Sequence, residues 1–399
     1  MTFIPFLLLI FWLGFLSICF ALDARRRRGL APALPVSVLI PCHNGAQTIA
    51  QTVESVFAAW PADRLEVHVI NDASTDHTAE ILTHLASRFP LRITHQTENL
   101  GKTRSLNRAV PSCRHAHILF LDADTSLNPA ALQEMLVRIA RKEGPAAVSC
   151  PCTPSNRGIL PAMQTLEYNM HRLFIGAGNL FSVQALWGGC LMTRASVFQS
   201  LQGFAHNAVA EDTDYAFRLN QRGHRVEQCA QRVLTLVPSK LSHWVRQKIR
   251  WTAGIFQCGF RYPRVWAASP VILLTLFVNL VLFPNMLAGW FNGFSGLDLI
   301  QTVQKLYDRN LSFLATLQAF ARQDAAMAYL FNLLIGLTIV LFSIVYVRPQ
   351  MTRFSDAAKL ALLGPFLFGY MPLFAIVSAA GFVFWVLKLR KLNEQQRAW

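Results

Sequence analysis

Between residues 35 and 238 short β-branched runs alternate with amphipathic stretches of helical period, and long apolar runs lie on either side. Residues 36–40 predict a buried strand that ends at Pro41. The apolar positions of 47–60 recur at helical spacing, 66–70 predict a second strand and 78–89 a second helix. Residues 91–95 follow as a strand, 102–110 as a helix and 117–121 as a buried strand. This βαβα order predicts an α/β domain built on a doubly wound parallel sheet. Ligands of such sheets collect beyond the carboxyl ends of the strands. The polar residues at those ends here are Asn71-Asp72 after the second strand and Asp122-Ala123-Asp124 after the fourth.

The flanks read differently. Residues 3–22 carry no charge, and at about 1.5 Å per residue a helix over them crosses the ~30 Å hydrocarbon core of a bilayer. The basic cluster Arg25, Arg26, Arg27 and Arg28 follows this run, whereas in a signal peptide it comes first. That order predicts a retained anchor with its C-terminal side in the cytosol. Further apolar runs occupy 270–291, 325–347 and 359–386. The last, ~42 Å long as a helix, contains Pro365 and Pro372, which predicts a tilted, kinked or re-entrant segment. The basic tail after it (Lys388, Arg390, Lys391) argues for a cytosolic end, while counting spans puts it outside. The expected organisation is an anchor over 1–24, a cytosolic domain over 30–238, interfacial amphipathic helices over 239–266 and a membrane region over 267–399. A multi-pass protein of the inner (plasma) membrane is expected.

Composition agrees with that division: 53% of residues are hydrophobic and only 15% charged. The net charge of +15 sits largely beside apolar runs, which fits anionic headgroups and membrane lipids and argues against nucleic acid as a partner. The 8 cysteines include no CxxC pair, and Cys150-Pro151-Cys152 has neither zinc nor redox spacing. Free thiols in a reducing cytosol are expected.

Candidate chemistry concentrates at a few positions. Asp122 and Asp124, two apart at the end of a buried strand, suit one divalent cation held against a diphosphate, Mg²⁺ or Mn²⁺; a turn aspartate is the plainer role. Asp72 can accept from a base N–H or a ribose hydroxyl, or cap the helix before Thr78, as Ser74 or Asp76 also could. Lys102, after the Asn99-Leu100-Gly101 turn, can neutralise a diphosphate or be a solvated surface lysine. Glu211, Asp212 and Asp214 open a helical stretch, where acidic residues compensate the dipole; Asp212 can alternatively remove a proton from an acceptor hydroxyl. Gln247, Arg250 and Trp251 share one helix face, offering an amide, a guanidinium for phosphate and an indole for a sugar ring. His243, Trp244, Arg246 and Lys248 give the same helix the look of a membrane-interfacial one.

The order Ile40-Pro41-Cys42-His43-Asn44, Asn71-Asp72, Gly101-Lys102, Asp122-Ala123-Asp124, Glu211-Asp212 and Gln247-x-x-Arg250-Trp251 resembles the family 2 inverting glycosyltransferases. More narrowly it is similar to the membrane-bound polysaccharide synthases that make cellulose, chitin, hyaluronan and poly-N-acetylglucosamine. The resemblance spans residues 36–254 and implies a nucleotide-diphospho-sugar transferase domain of GT-A type with flanking transmembrane helices. It implies that Asp72 recognises uridine, Lys102 contacts the diphosphate, Asp122 contacts the nucleotide and Asp124 binds the metal. It further implies that Asp212 is the catalytic base, and that Gln247, Arg250 and Trp251 bind pyrophosphate and acceptor. Gly188-Gly189-Cys190, after Trp187, resembles the small-residue segment near the donor sugar.

The sequence departs from the family pattern at Gly45, where an acidic residue is usual, and at Ala210, where threonine is usual. No gating segment or regulatory domain follows residue 251, so cellulose synthesis under cyclic-nucleotide control is not expected. The short chain and Tyr370-Met371-Pro372 look closest to poly-β-1,6-N-acetylglucosamine synthases. The resulting expectation is a UDP-sugar donor, N-acetylglucosamine favoured, a growing polysaccharide as acceptor, and a small membrane subunit as a possible partner. A non-processive enzyme with a lipid acceptor, resembling ceramide glucosyltransferases, is the alternative. A transporter or scaffold with a degenerate domain fits less well, since carboxylates stand at every expected catalytic position.

Overall fold

The computed structural model describes residues 11–12, 14–19, 21–23, 32–183, 185–270, 273, 362 and 365–389. The chain divides into two compact units, Met1–Ile18 with Pro270–Pro372 and Cys19–Ser269 with Leu373–Trp399. In the first, the described residues form helix over 14–18, with Trp12 and Leu16 buried, and a π-helical turn at Phe366–Tyr370. No helix among the described residues is long and apolar enough to cross a membrane. The run 325–347 lies outside the described residues, as do 3–10, 274–291 and 359–361.

The second unit is built on a seven-stranded sheet. Its strands are β1 (Val36–Cys42), β2 (Leu65–Asn71), β3 (Leu91–His95), β4 (His117–Leu121), β6 (Ala147–Ser149), β8 (Cys190–Arg194) and β9 (Val226–Gln228), in the order β3-β2-β1-β4-β8-β6-β9. β1 to β4 pair in parallel, and β8 runs antiparallel to both β4 and β6. A second sheet joins β5 (Thr125–Ser126), β10 (Val233–Thr235) and β7 (Cys152–Pro154) in the order β5-β10-β7. The doubly wound expectation therefore holds for the first half of the chain, and the second half adds an antiparallel strand.

β1 is buried at every position, as a central parallel strand covered on both faces must be. Val36, Val38 and Ile40 join the cluster beneath α1 (Ile49–Ala59), α2 (Thr78–Arg88) and α4 (Pro129–Ile139). Leu39, Ile70, Ile118 and Phe120 pack on the other face with Leu106 of α3 (Lys102–Ala109), Phe198 of α6 (Ala195–Ser200) and Tyr215 of α7 (Glu211–Gln221). The strand does not end at Pro41. Pairing with β4 stops at Leu39, while pairing with β2 continues to Cys42, so the proline's missing N–H falls where the strand has one neighbour.

α5 (Ile159–Ala177) and the long α8 (Leu241–Arg261) complete the layer that carries the aromatic residues of the site, and α9 (Pro263–Ala267) follows. α10 (Met371–Phe384) lies between π-helical turns, and from Leu373 onward it packs on α8. Phe382 meets Phe256, Trp385 stacks on Phe260, and a Cβ on Gly381 would lie 3.0 Å from the Ile249 carbonyl oxygen. α8 is thus covered along much of its length, and the expectation that Trp244 and Lys248 belong to an exposed interfacial face is corrected. Both are fully buried, whereas His243 and Arg246 are exposed.

Arg138 of α4 is fully buried within a carboxylate cage. Its guanidinium binds Asp23 through both terminal nitrogens at 3.0 and 2.9 Å, Glu134 at 2.9 Å and Glu227 at 2.6 Å. Arg141 shares Glu227 at 2.5 Å. Removing one member of a buried ion cluster strands the others without water. Arg138→Leu is therefore expected to cost about 3–5 kcal/mol of stability, read as a lower midpoint in thermal unfolding.

Candidate active site

The carboxyl ends of β1, β2 and β4 lie at one edge of the sheet, and the loops leaving them converge there. Asp72 follows β2 and is fully buried; its backbone N–H donates to the Cys42 carbonyl at 2.8 Å. One carboxylate oxygen accepts from Leu100 N–H at 2.9 Å, the other from Gly101 N–H at 2.8 Å. Gly101 adopts φ 80°, a left-handed backbone suited to glycine, and this turns its amide toward Asp72. Asp72 therefore anchors the turn from which α3 and Lys102 start. The N-cap position before Thr78 is His77, and Asp76, one residue earlier, accepts from Thr78 N–H at 3.1 Å and from its hydroxyl.

Lys102 is no surface lysine. Its ammonium contacts Asp122 at 2.5 Å, Glu211 at 3.4 Å and the Gly188 carbonyl at 3.3 Å. Burial opposes its charge, but Asp122, Glu211 and Asp212 outweigh burial and hold its pKa above the usual lysine value. Burial likewise works against the charge on Glu211; Lys102 and Arg250 overcome it and keep that carboxyl below its usual range.

Asp212 sits in the first turn of α7. One oxygen accepts from Gly188 N–H at 2.8 Å, the other from Thr213 N–H at 2.6 Å. Burial and the adjacent Glu211 charge raise its pKa to about 6, against the pull of Lys102. Gly188 has no room for a side chain, since a Cβ there would stand 2.7 Å from Asp212 Oδ2. Gly189 is tight for the same reason, 3.3 Å from Asp122 Oδ2, and its carbonyl receives Asp122 N–H at 3.0 Å. The pairing of Leu121 with Cys190 brings the glycine pair to the end of β4.

Asp124 reaches the surface, with its carboxylate accepting from Thr235 Oγ1 at 3.2 Å and Thr125 Oγ1 at 3.3 Å. Protein packed around that carboxyl, with the charge of Asp122 beside it, raises its pKa to about 6. Asp122, Asp124, Glu211 and Asp212 thus share the field of Lys102, and negative charge is in excess. A divalent cation bound by Asp122 and Asp124 with phosphate oxygens fits that excess and this hard-oxygen donor set. Among the described residues no group of three or more His, Cys, Asp or Glu side chains could hold a metal unaided.

α8 brings Arg250 within electrostatic reach of Glu211 and Trp251 against Trp187, with Gln247 one turn earlier on the same helix. Its approach depends on Gly254, where a Cβ would fall 2.5 Å from Ala210 Cβ. Ala210, the departure noted above, thereby lets the helix of the Glu211-Asp212 pair and that of the Gln247-Arg250-Trp251 group come close. Gly45, the other departure, has similar cause: a Cβ there would meet Cys42 Sγ at 2.5 Å. Trp251 stands at 89° to Trp187, 6.1 Å between ring centroids, and Tyr168 of α5 lies 5.0 Å from Trp187. The Lys248 ammonium lies 4.0 Å from the Trp251 centroid and 5.0 Å from that of Tyr168, and bonds Glu167 at 2.7 Å. Burial lowers the Lys248 pKa, and Glu167 opposes that shift without cancelling it. Sequence reasoning missed Glu167, Tyr168 and Lys248 as parts of the site. The i, i+3 spacing of Lys248 and Trp251 was the available signal.

Residues 37–202 match the family described as Glycosyl transferase family 2. The poly-beta-1,6-N-acetyl-D-glucosamine synthase of Staphylococcus aureus (strain COL) is 25% identical over 270 residues, covering 64% of this chain and 64% of that protein. The chain therefore spans less than two thirds of the length of that relative. The probable glycosyltransferase YdaM of Bacillus subtilis (strain 168) is 27% identical over 229 residues, covering 55% of this chain and 54% of its own. Among solved structures, the mannosyltransferase PcManGT from Pyrobaculum calidifontis, in complex with GDP-Man and Mn²⁺, aligns with a TM-score of 0.52 at 18% identity. It covers 87% of this chain and 98% of that one, and the likeness is one of fold.

Proposed function

We propose, since the chain carries a glycosyl transferase family 2 domain, that it is a membrane-bound inverting glycosyltransferase. It transfers a sugar, N-acetylglucosamine favoured, from a UDP-sugar to a growing polysaccharide, processively and with translocation across the inner membrane. Residues 3–22, 270–291, 325–347 and 359–386 supply the membrane spans, and the catalytic domain faces the cytosol, with a small membrane subunit as a possible partner. The observation that carries the reading is the convergence of Lys102, Asp122 and Glu211 within ion-pair distance, with Asp212 held by the amide of Gly188 beside them.

In this reading Asp212 removes the proton of the acceptor hydroxyl as its oxygen bonds to the anomeric carbon. The bond from that carbon to the UDP oxygen breaks on the opposite face, which inverts the centre. Lys102 and Arg250 meet the negative charge gathering on the departing diphosphate. Asp72 holds the uridine end through the loop it anchors. Asp122 and Asp124 would hold a Mg²⁺ or Mn²⁺ ion, which supplies charge neutralisation at the diphosphate when bound. Gln247 and Trp251 receive the acceptor sugar.

A panel of UDP-sugars incubated with membranes containing the chain tests this reading, scored by UDP release and by product size. UDP-N-acetylglucosamine is expected to give the fastest release and a product that grows beyond a single transfer. Short product extractable into organic solvent alone would replace the polysaccharide acceptor with a lipid. No release from any UDP-sugar would overturn the donor assignment.

A further inference from the structure

Lys248 carries a charge that the reaction outlined above does not use. It is completely buried, its one ion pair among the described residues is with Glu167 at 2.7 Å, and Glu167 itself is buried. Burying such a pair costs desolvation, and two apolar side chains of similar volume often do as well or better for stability. The ammonium, however, sits on the face of Trp251, 4.0 Å from its centroid, with Tyr168 at 5.0 Å. A desolvated cation at that distance is a strong, directional contact for an indole. Trp251 in turn sets the edge of Trp187 at 89°. Trp187 Nε1, on one of these rings, and Gln247 Oε1, on the residue one helical turn before Trp251, are buried and have no hydrogen-bond partner among the described residues. One is a donor and the other an acceptor, and hydroxyl groups of a sugar satisfy both.

We infer that Lys248 is a positioning residue for the acceptor: its ammonium, fixed by Glu167, locks the Trp251 indole, and through it Trp187, in the orientation that receives the terminal sugar of the acceptor. The inference rests on the proposed role of Trp251 as the acceptor's stacking surface. Lys248 touches neither substrate, and its effect passes through the two indoles.

The test uses the full chain in membranes, UDP-N-acetylglucosamine as donor and a short N-acetylglucosamine oligosaccharide as acceptor, with the two KM values measured separately. Lys248→Met is expected to raise acceptor KM by about tenfold or more while donor KM stays within about twofold, because the lost contact acts on one subsite. Lys248→Arg, which keeps a cation over the ring, is expected to recover most of that loss. The double variant Lys248→Met with Glu167→Leu removes the stranded carboxylate, so it is expected to regain thermal stability without regaining acceptor KM. Recovery of both by the double variant would reduce the pair to a packing element and overturn the inference. Trp251→Ala separates the inference from its premise. A raised acceptor KM there, with Lys248→Met at the wild-type value, sinks the role of Lys248 alone. An unchanged acceptor KM in Trp251→Ala sinks the premise, and the inference with it.

Discussion

Asp212→Asn is expected to lower the rate of sugar transfer by roughly 10²–10⁴-fold, the span that a positioned general base contributes. The amide keeps the shape of the side chain and can still receive the Gly188 N–H, which Asp212 Oδ2 accepts at 2.8 Å. It cannot take up a proton. The pH profile separates loss of the base from loss of structure. Burial and Glu211 raise the Asp212 pKa to about 6, so the base is ionised above that value and protonated below it. Wild-type kcat/KM should fall as pH drops through about 6, where Asp212 and Asp124 both take up a proton, and Asp212→Asn should show a shallower limb that Asp124 alone supplies. A variant that keeps the wild-type rate and profile would remove Asp212 from the base role. Its neighbour Glu211 is the poorer candidate, since Lys102 and Arg250 depress its pKa and so weaken it as a base.

Lys102→Met is expected to cost a further large factor, roughly 10²–10³-fold in kcat, by analogy with deleting one electrostatic stabiliser of developing charge. The ammonium lies 2.5 Å from Asp122 and 3.4 Å from Glu211, so its loss leaves carboxylates facing one another in a buried place. Its charge also holds down the pKa of Asp212 and of Asp124. Without it both rise, and the acid limb of the rate profile moves to higher pH. Lys102→Arg keeps the charge but not the compact ammonium, and should retain the position of the limb better than the rate. A methionine variant whose limb stays near 6 would show that Lys102 acts on the diphosphate alone.

The sheet and its first helices were legible because their determinants are local. Strands predicted at 66–70, 91–95 and 117–121 appear at Leu65–Asn71, Leu91–His95 and His117–Leu121, and the amphipathic stripe at 78–89 appears as Thr78–Arg88. The carboxylates of the site could be found for a related reason. Strand ends in a parallel sheet share one edge, so Asp72, Asp122 and Asp124 announce themselves by position alone. What stayed hidden were pairings across long separations. Lys248 looked interfacial because it stands among Trp and Arg, while the carboxylate that buries it lies 81 positions upstream. The Asp72 side chain reads as a ligand group, yet its oxygens are taken by amides of a loop 28 and 29 positions away. The antiparallel β8 was unforeseen, since one more apolar run carries no mark of direction.

The cage around Arg138 also imposes a timetable. Asp23 and Arg138 are separated by 115 positions, and Glu227 comes 89 positions after Arg138. A chain made from its N-terminus exposes Asp23 early and Glu227 late, so the guanidinium has its full set of counter-charges only after residue 227 has left the ribosome. Until then α4 has little reason to bury that residue. Asp23 can pair with Arg138 once α4 is made, and the cage is completed only when the strand carrying Glu227 takes its place beside β6.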